Sequence, residues 1–231
     1  NATINHVSGP HPSGLAGVQI HHIDPITKND VVWSCTPQDV LTIGRLFLEG
    51  RFNSERVFAL TGSEVKDRKY FKTKIGANLT GYLKDRVIKG NNRYISGNVL
   101  TGTKIEPFGF LGFYDSQVTV IPEGDYYEFF GWIAPGLNKF SNSRAVASAW
   151  LNKNKPKKVD TNMHGGERAY IMTGEYEKVF PFDIYPVHLI KAIMIDDIDL
   201  MEKLGLLEVA PEDFALCEVT CTSKIDVQEV V

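Results

Sequence analysis

The chain has 231 residues, 43% of them hydrophobic and 23% charged, with a formal net charge of −3. That is the balance of an ordinary folded protein with one large or two small domains, not of a disordered or membrane-embedded chain. The slight acidity excludes a general nucleic-acid footprint, which needs a basic face to neutralise phosphates.

The longest apolar run, Ile184 to Ile195, contains Pro186, His188 and Lys191 and is too short to cross a bilayer. Three cysteines, Cys35, Cys217 and Cys221, do not make a disulfide framework and suit a reducing compartment. No signal peptide is recognisable at the start, so nothing in it points to export. Asn1-Ala2 in place of an initiator methionine reads as a tag-cleavage remnant, so a fragment of a longer chain is expected.

Residues 3 to 30, rich in Gly, Pro and His, predict a loop with one short strand near Val18 to Ile23. Val31-Val32-Trp33 predicts another short strand. A helix follows, with Thr36 as N-cap, Pro37 at its first position and Asp39 in the first turn, where negative charge is favoured. Val40, Ile43 and Phe47 form one apolar stripe beside Leu46, and Gly50 ends the helix.

Glu55 to Thr61 and Tyr70 to Ile75 predict two strands, the second with Phe71, Thr73 and Ile75 on one face and Lys72 and Lys74 on the other. Asn78 is placed to cap a short helix with Leu79, Tyr82 and Leu83 inward, and Arg93 to Val99 predicts a further strand. Strand–turn–strand–helix–strand is a small α+β unit.

Gln117 to Ile121 and Tyr126 to Phe130, flanking Pro122-Glu123-Gly124-Asp125, predict a hairpin. Asn152 to Lys158 predicts a basic linker, and His164-Gly165-Gly166 a turn. The tail predicts a helix near Pro186 to Ile195, a second capped by Asp196 or Asp197 and closed by Gly205, and a third starting at Pro211.

Three stretches together resemble one family. The first is His6-Val7-Ser8-Gly9-Pro10-His11-Pro12-Ser13-Gly14-Leu15-Ala16-Gly17, followed by His21. The second is Gln38-Asp39-Val40 to Gly50, then Arg56-Val57-Phe58-Ala59-Leu60-Thr61-Gly62 and Ile75-Gly76-Ala77-Asn78-Leu79. The third is Phe130-Gly131-Trp132-Ile133-Ala134-Pro135-Gly136 with Asn138-Lys139-Phe140-Ser141, then Gly165-Gly166-Glu167-Arg168 and Pro181-Phe182-Asp183. In this order they are similar to the A subunits (NqrA) of the Na⁺-translocating NADH:quinone oxidoreductases.

The resemblance implies an α+β architecture. Residues 1–53 would be the end of a Rossmann-like domain and 54–105 an SLBB (soluble-ligand-binding β-grasp) domain. Residues 106–160 would be a β extension, and 161–231 a C-terminal helical domain of degenerate Fe–S type. It further implies a peripheral subunit on the cytoplasmic face of the bacterial inner membrane, within a complex that oxidises NADH, reduces quinone and moves Na⁺. Its partners would be the other subunits, chiefly the membrane-embedded B subunit, and quinone. Contact with the membrane would come only through the complex.

The residues set limits on what carries over. Related helical domains in complex I and Rnf subunits hold Fe–S clusters, and a [4Fe–4S] cluster normally takes four thiolates. Cys217 and Cys221 offer two, and the chain's remaining cysteine is Cys35. A zinc site borrowing His188 has no spacing support. Flavin-binding relatives carry an Asn just before the helix that here ends at Gly50; this chain has Thr36-Pro37-Gln38-Asp39 instead. No redox cofactor, metal or catalytic residue is therefore assigned, and NADH, flavins, Fe–S centres and quinone are expected on other subunits or regions.

His11, Pro12, His21 and His22 are the candidate partner- or quinone-side interface; a rigid loop whose histidines hydrogen-bond locally is the alternative account. Tyr70, Lys72 and Lys74 would face any ligand of the β-grasp segment, though such a face is usually solvated surface. Lys153, Lys155, Lys157 and Lys158 would add about 1 kcal/mol each near anionic headgroups, against the simpler reading of a solvated loop. A stand-alone SLBB-type small-ligand-binding module is the alternative function. An Rnf-type electron carrier is disfavoured by the cysteine count.

Overall fold

The computed structural model describes residues 2–131, 133–151 and 155–231. Trp132 of the third family stretch, and Asn152, Lys153 and Asn154 of the expected linker, lie outside the described residues, as does Asn1. The chain divides into two compact units: residues 37–164, and residues 1–36 together with 165–231.

Residues 37–164 are built on a five-stranded mixed sheet. Its strands are β1 (Glu55–Thr61), β2 (Lys69–Lys74), β3 (Asn92–Ser96), β4 (Thr103–Ile105) and β5 (Gln117–Pro122), in the order β2-β1-β5-β3-β4. Only β1 and β5 pair in parallel, with Leu60 opposite Val118; the other neighbours are antiparallel. Alternation along β1 buries Phe58 and Leu60 completely. Helix α3 (Thr80–Leu83) covers that face with Leu79 and Leu83. Phe58, Phe71 and Tyr82 meet there with ring centroids 5.3 to 5.6 Å apart. The Tyr82 hydroxyl donates to Thr73 Oγ1 at 2.9 Å, so Tyr82 packs and hydrogen-bonds at once. The inward set Leu79, Tyr82 and Leu83 is as the sequence predicts.

The predicted hairpin does not form. Val118, Thr119, Val120 and Ile121 are all buried because β5 is the central strand, with β1 on one edge and β3 on the other. No edge of β5 is left for Tyr126 to Phe130. Tyr126 instead donates its hydroxyl to Asp160 at 2.7 Å, and its carbonyl accepts from Asn162 Nδ2 at 2.7 Å. At the end of β5, Arg93 forms a two-pronged pair with Glu123. That pair, with Thr161 Oγ1 donating at 2.7 Å, lowers the Glu123 carboxyl to about 2.

Helix α2 (Pro37–Glu49) starts at Pro37 and stops before Gly50, where φ is +67°, as the sequence predicts. Its apolar stripe is not covered: no residue of α2 is buried, and Phe47 is 84% exposed. The helix is tied to the sheet through its polar side. Gln38 Oε1 accepts from the Val57 N–H at 2.8 Å and Nε2 donates to the Val57 carbonyl at 2.9 Å. The β1–β5 pairing begins only at Ala59, so the Gln38 amide stands in for a strand beside Val57. Short helix α4 (Ser148–Leu151) follows Ala147, whose N–H donates to the Pro135 carbonyl at 2.8 Å.

In the other unit, residues 16–23 correct the expectation of a strand. Ala16–Ile23 is helix α1, with Val18 buried. Leu15, Val18 and His21 are spaced three apart, which suits one helical face, and a run this short carries no decisive period. Val31-Val32-Trp33 is not a strand either; Val31 and Trp33 are exposed, and no described strand pairs with them. The C-terminal helices are α5 (Pro186–Met194), α6 (Ile198–Lys203), α7 (Ala215–Thr220) and α8 (Val227–Val230). Asp197 caps α6 by accepting from the Leu200 N–H at 3.0 Å, and Gly205, with φ +88°, follows its end, both as predicted. Pro211 opens a 3₁₀ turn that leads into α7. Phe180, Phe182, Leu189, Ile190, Met201, Phe214 and Cys217 form the core of this unit.

Candidate functional site

Helix α1 brings two of the four candidate residues, His21 and His22, against Pro181-Phe182-Asp183, part of the third family stretch. His21 Nε2 receives the Asp183 backbone N–H at 3.2 Å, and its Nδ1 lies 2.8 Å from Glu208 Oε2. A backbone N–H can only donate, so Nε2 is the bare nitrogen and Nδ1 carries the proton that goes to Glu208. His22 Nε2 donates to the Pro181 carbonyl at 3.1 Å. The His21 ring also sits 4.8 Å from the Phe182 ring. Phe182 continues through Phe180 (4.9 Å) to Phe214 (4.7 Å), so a ladder of rings joins His21 to the core. With its side chain 11% exposed, His21 is a clamp within the fold. Two-dimensional ¹H–¹⁵N spectra of the imidazoles are expected to show His21 as the Nδ1–H tautomer; an Nε2–H signal would overturn this assignment.

His11 and Pro12 lie elsewhere on this unit. The Pro10 carbonyl accepts from the Ser13 N–H at 3.0 Å, and the Pro12 carbonyl from Leu15 N–H at 2.9 Å, so the loop winds into α1. His11, Ser8, Gly9, Ser13 and Gln19 line a depression of about 400 Å³ there. His11 is exposed, unlike His21. A second, more apolar depression of about 240 Å³ lies between α5 and α6, lined by Tyr185, His188, Lys191, Ile195, Leu200 and Leu204. The spacing Tyr185, His188, Lys191 marks one helical face, a signal that was present in the sequence. Asp183 lies within the third family stretch, whereas Glu208, the other partner of His21, carries no signal in the sequence.

The cysteines do not suit a cluster. Cys217 and Cys221 are buried in the apolar core beside Tyr176, and burial pushes the Cys217 thiol up to about 12. A cluster ligand must be a thiolate, and this setting disfavours one. Burial likewise raises the Tyr170 and Tyr176 hydroxyls. Cys35 is exposed. Among the described residues no three His, Cys, Asp or Glu side chains are grouped to hold a metal ion. Nor is any described helix long and apolar enough to cross a membrane.

These features define an α+β protein with a five-stranded mixed sheet in one unit and, in the other, a helical core with an exposed His11 loop and a half-buried His21 clamp. Residues 57–106 match the family model described as the NQRA C-terminal domain, of SLBB type, and residues 1–52 match the NqrA second alpha/beta domain. The chain is 44% identical over 223 residues to the A subunit of the Na(+)-translocating NADH-quinone reductase of Klebsiella pneumoniae, covering 96% of this chain and 50% of the relative. Against the protein of the same name from Neisseria meningitidis serogroup B it is 42% identical over 227 residues, 98% of this chain and 51% of the relative. The Yersinia pseudotuberculosis protein gives 41% over 225 residues, 97% and 50%. The chain belongs to the family of these A subunits, and it spans about half the length of the curated relatives it matches.

Proposed function

We propose that this chain serves as part of the A subunit of a respiratory complex that couples NADH oxidation and quinone reduction to Na⁺ translocation. The observation that carries the reading is identity of 41 to 44% sustained over 96 to 98% of the chain. In this reading the chain is a scaffold and partner-binding element on the cytoplasmic face of the bacterial inner membrane. It meets the other subunits, chiefly the membrane-embedded B subunit, on the quinone side. His11 and Pro12 present the interface, and His21 and His22 hold the helix behind it. Residues 1–53 are the end of a Rossmann-like domain, and a sheet contributed by its remainder would cover the open apolar face of α2. Redox chemistry is left to other subunits or regions: the two thiols are too few and too deeply buried for a cluster.

The test is co-purification. A tagged copy of this chain, expressed in cells that make the complex without its own A subunit, is expected to bring down the remaining subunits. A His11→Glu variant should weaken that capture, while flavin and iron stay below one per chain in the purified protein. Failure to capture any subunit, or stoichiometric flavin or iron in the isolated chain, would sink the corresponding half of the reading.

A further inference from the structure

Between Glu128 and Asp160 the sequence has no acidic residue and six basic ones, Lys139, Arg144, Lys153, Lys155, Lys157 and Lys158, in a chain whose net charge is −3. The described part of this stretch is folded on itself. Lys139 pairs with Glu128 and donates to the Gly131 carbonyl at 3.0 Å, Ser148 Oγ donates to the Lys139 carbonyl, and Ala147 N–H bonds the Pro135 carbonyl at 2.8 Å. Trp150 Nε1 donates to the Arg144 carbonyl at 3.2 Å. Large apolar side chains of the same stretch are left exposed. Phe129 is 92% exposed, and Trp150 and Leu151 are each 73% exposed.

The five cations among the described residues divide into two groups. Lys139 is neutralised by Glu128, and Lys158 by Glu64 at 2.6 Å. No described carboxylate pairs with Arg144, Lys155 or Lys157, and Lys157 lies 5.9 Å from the Phe140 ring centre. Exposed aromatic rings beside cations that no described carboxylate pairs have the chemistry of the bilayer interface. Trp and Phe enter the boundary between headgroups and acyl chains, while Lys and Arg remain at anionic phosphates. A protein partner would have to supply a face both acidic and apolar at matching positions, whereas an anionic lipid surface supplies negative headgroups and an apolar interior everywhere.

We infer that the surface carrying Phe129, Trp150, Leu151, Arg144 and Lys155 docks directly on an anionic lipid bilayer. Vesicles alone test such docking, independently of the assembly proposed above.

The intact 231-residue chain is floated with vesicles of phosphatidylglycerol and phosphatidylcholine in equal parts, and with phosphatidylcholine alone. Binding is expected to the first and not the second, and should be released as salt is raised to roughly 0.5 M, where the charges are screened. Arg144→Gln with Lys155→Gln should weaken it about 30-fold, the effect of two interfacial charges. Phe129→Ala with Trp150→Ala should reduce it at unchanged charge. Removing equal charge on the β-grasp surface, Lys84→Gln with Lys89→Gln, should leave it unchanged, and circular dichroism checks that each variant is folded. Indifference to both vesicle types would assign the patch to a protein partner and overturn the inference. Equal binding to neutral vesicles, or equal loss in the Lys84/Lys89 pair, would overturn it as well.

Discussion

Gly62→Ala is expected to destabilise the sheet-bearing unit by more than about 4 kcal/mol, a cost reserved for changes the structure cannot absorb. Gly62 leaves β1 with φ +111° and passes directly over Val120 of the central strand. A Cβ there would lie 2.5 Å from the Val120 nitrogen and closer still to its carbonyl oxygen. The obstacle is backbone within a parallel pair, not the end of a flexible side chain, so moving it means breaking the β1–β5 register at Thr61 and Thr119. Gly76 is the control. Its φ is +76°, but nothing lies within 4 Å of an added Cβ, so Gly76→Ala should cost only about 1–2 kcal/mol of left-handed backbone strain. Denaturant unfolding, with hydrogen exchange read at β1 and β5, separates the two. Equal losses for both variants would contradict the close approach.

Phe214→Ala should cost about 3–5 kcal/mol, the range for emptying a buried aromatic site. Phe214 is wholly buried and stacks on Phe180 with 28° between the ring planes. Neighbours on α5 and α7 are held by helix geometry and cannot fill the space left behind. Phe214→Leu, which keeps most of the volume, should cost about 1 kcal/mol. Because the ladder runs from Phe214 through Phe180 and Phe182 to His21, the alanine variant should also shift the His21 imidazole signals. An unchanged His21 spectrum in a destabilised Phe214→Ala protein would mean that the clamp is positioned by Glu208 and Asp183 alone.

Much of this molecule was determined by its sequence because the signals are local. Pro37 and Gly50 bound α2, Asp197 and Gly205 bound α6, and period-two alternation marks β1 and β2, each through backbone preferences that act within a few residues. The three family stretches were equally legible, since each is a short contiguous run. Whether Gln117 to Ile121 turns back as a hairpin or enters the sheet between β1 and β3 depends on which strand edges are still open, and only the assembled sheet decides that. The same holds for the histidines. His21 is a clamp because Glu208, 187 positions away, arrives at its Nδ1, while His11 keeps its exposed place in the loop. The stripe on α2 shows the limit from the other side. Its period was plain, but a period states only that one face is apolar; whether that face is covered is decided by what packs against it, and within this chain Phe47 remains open to solvent.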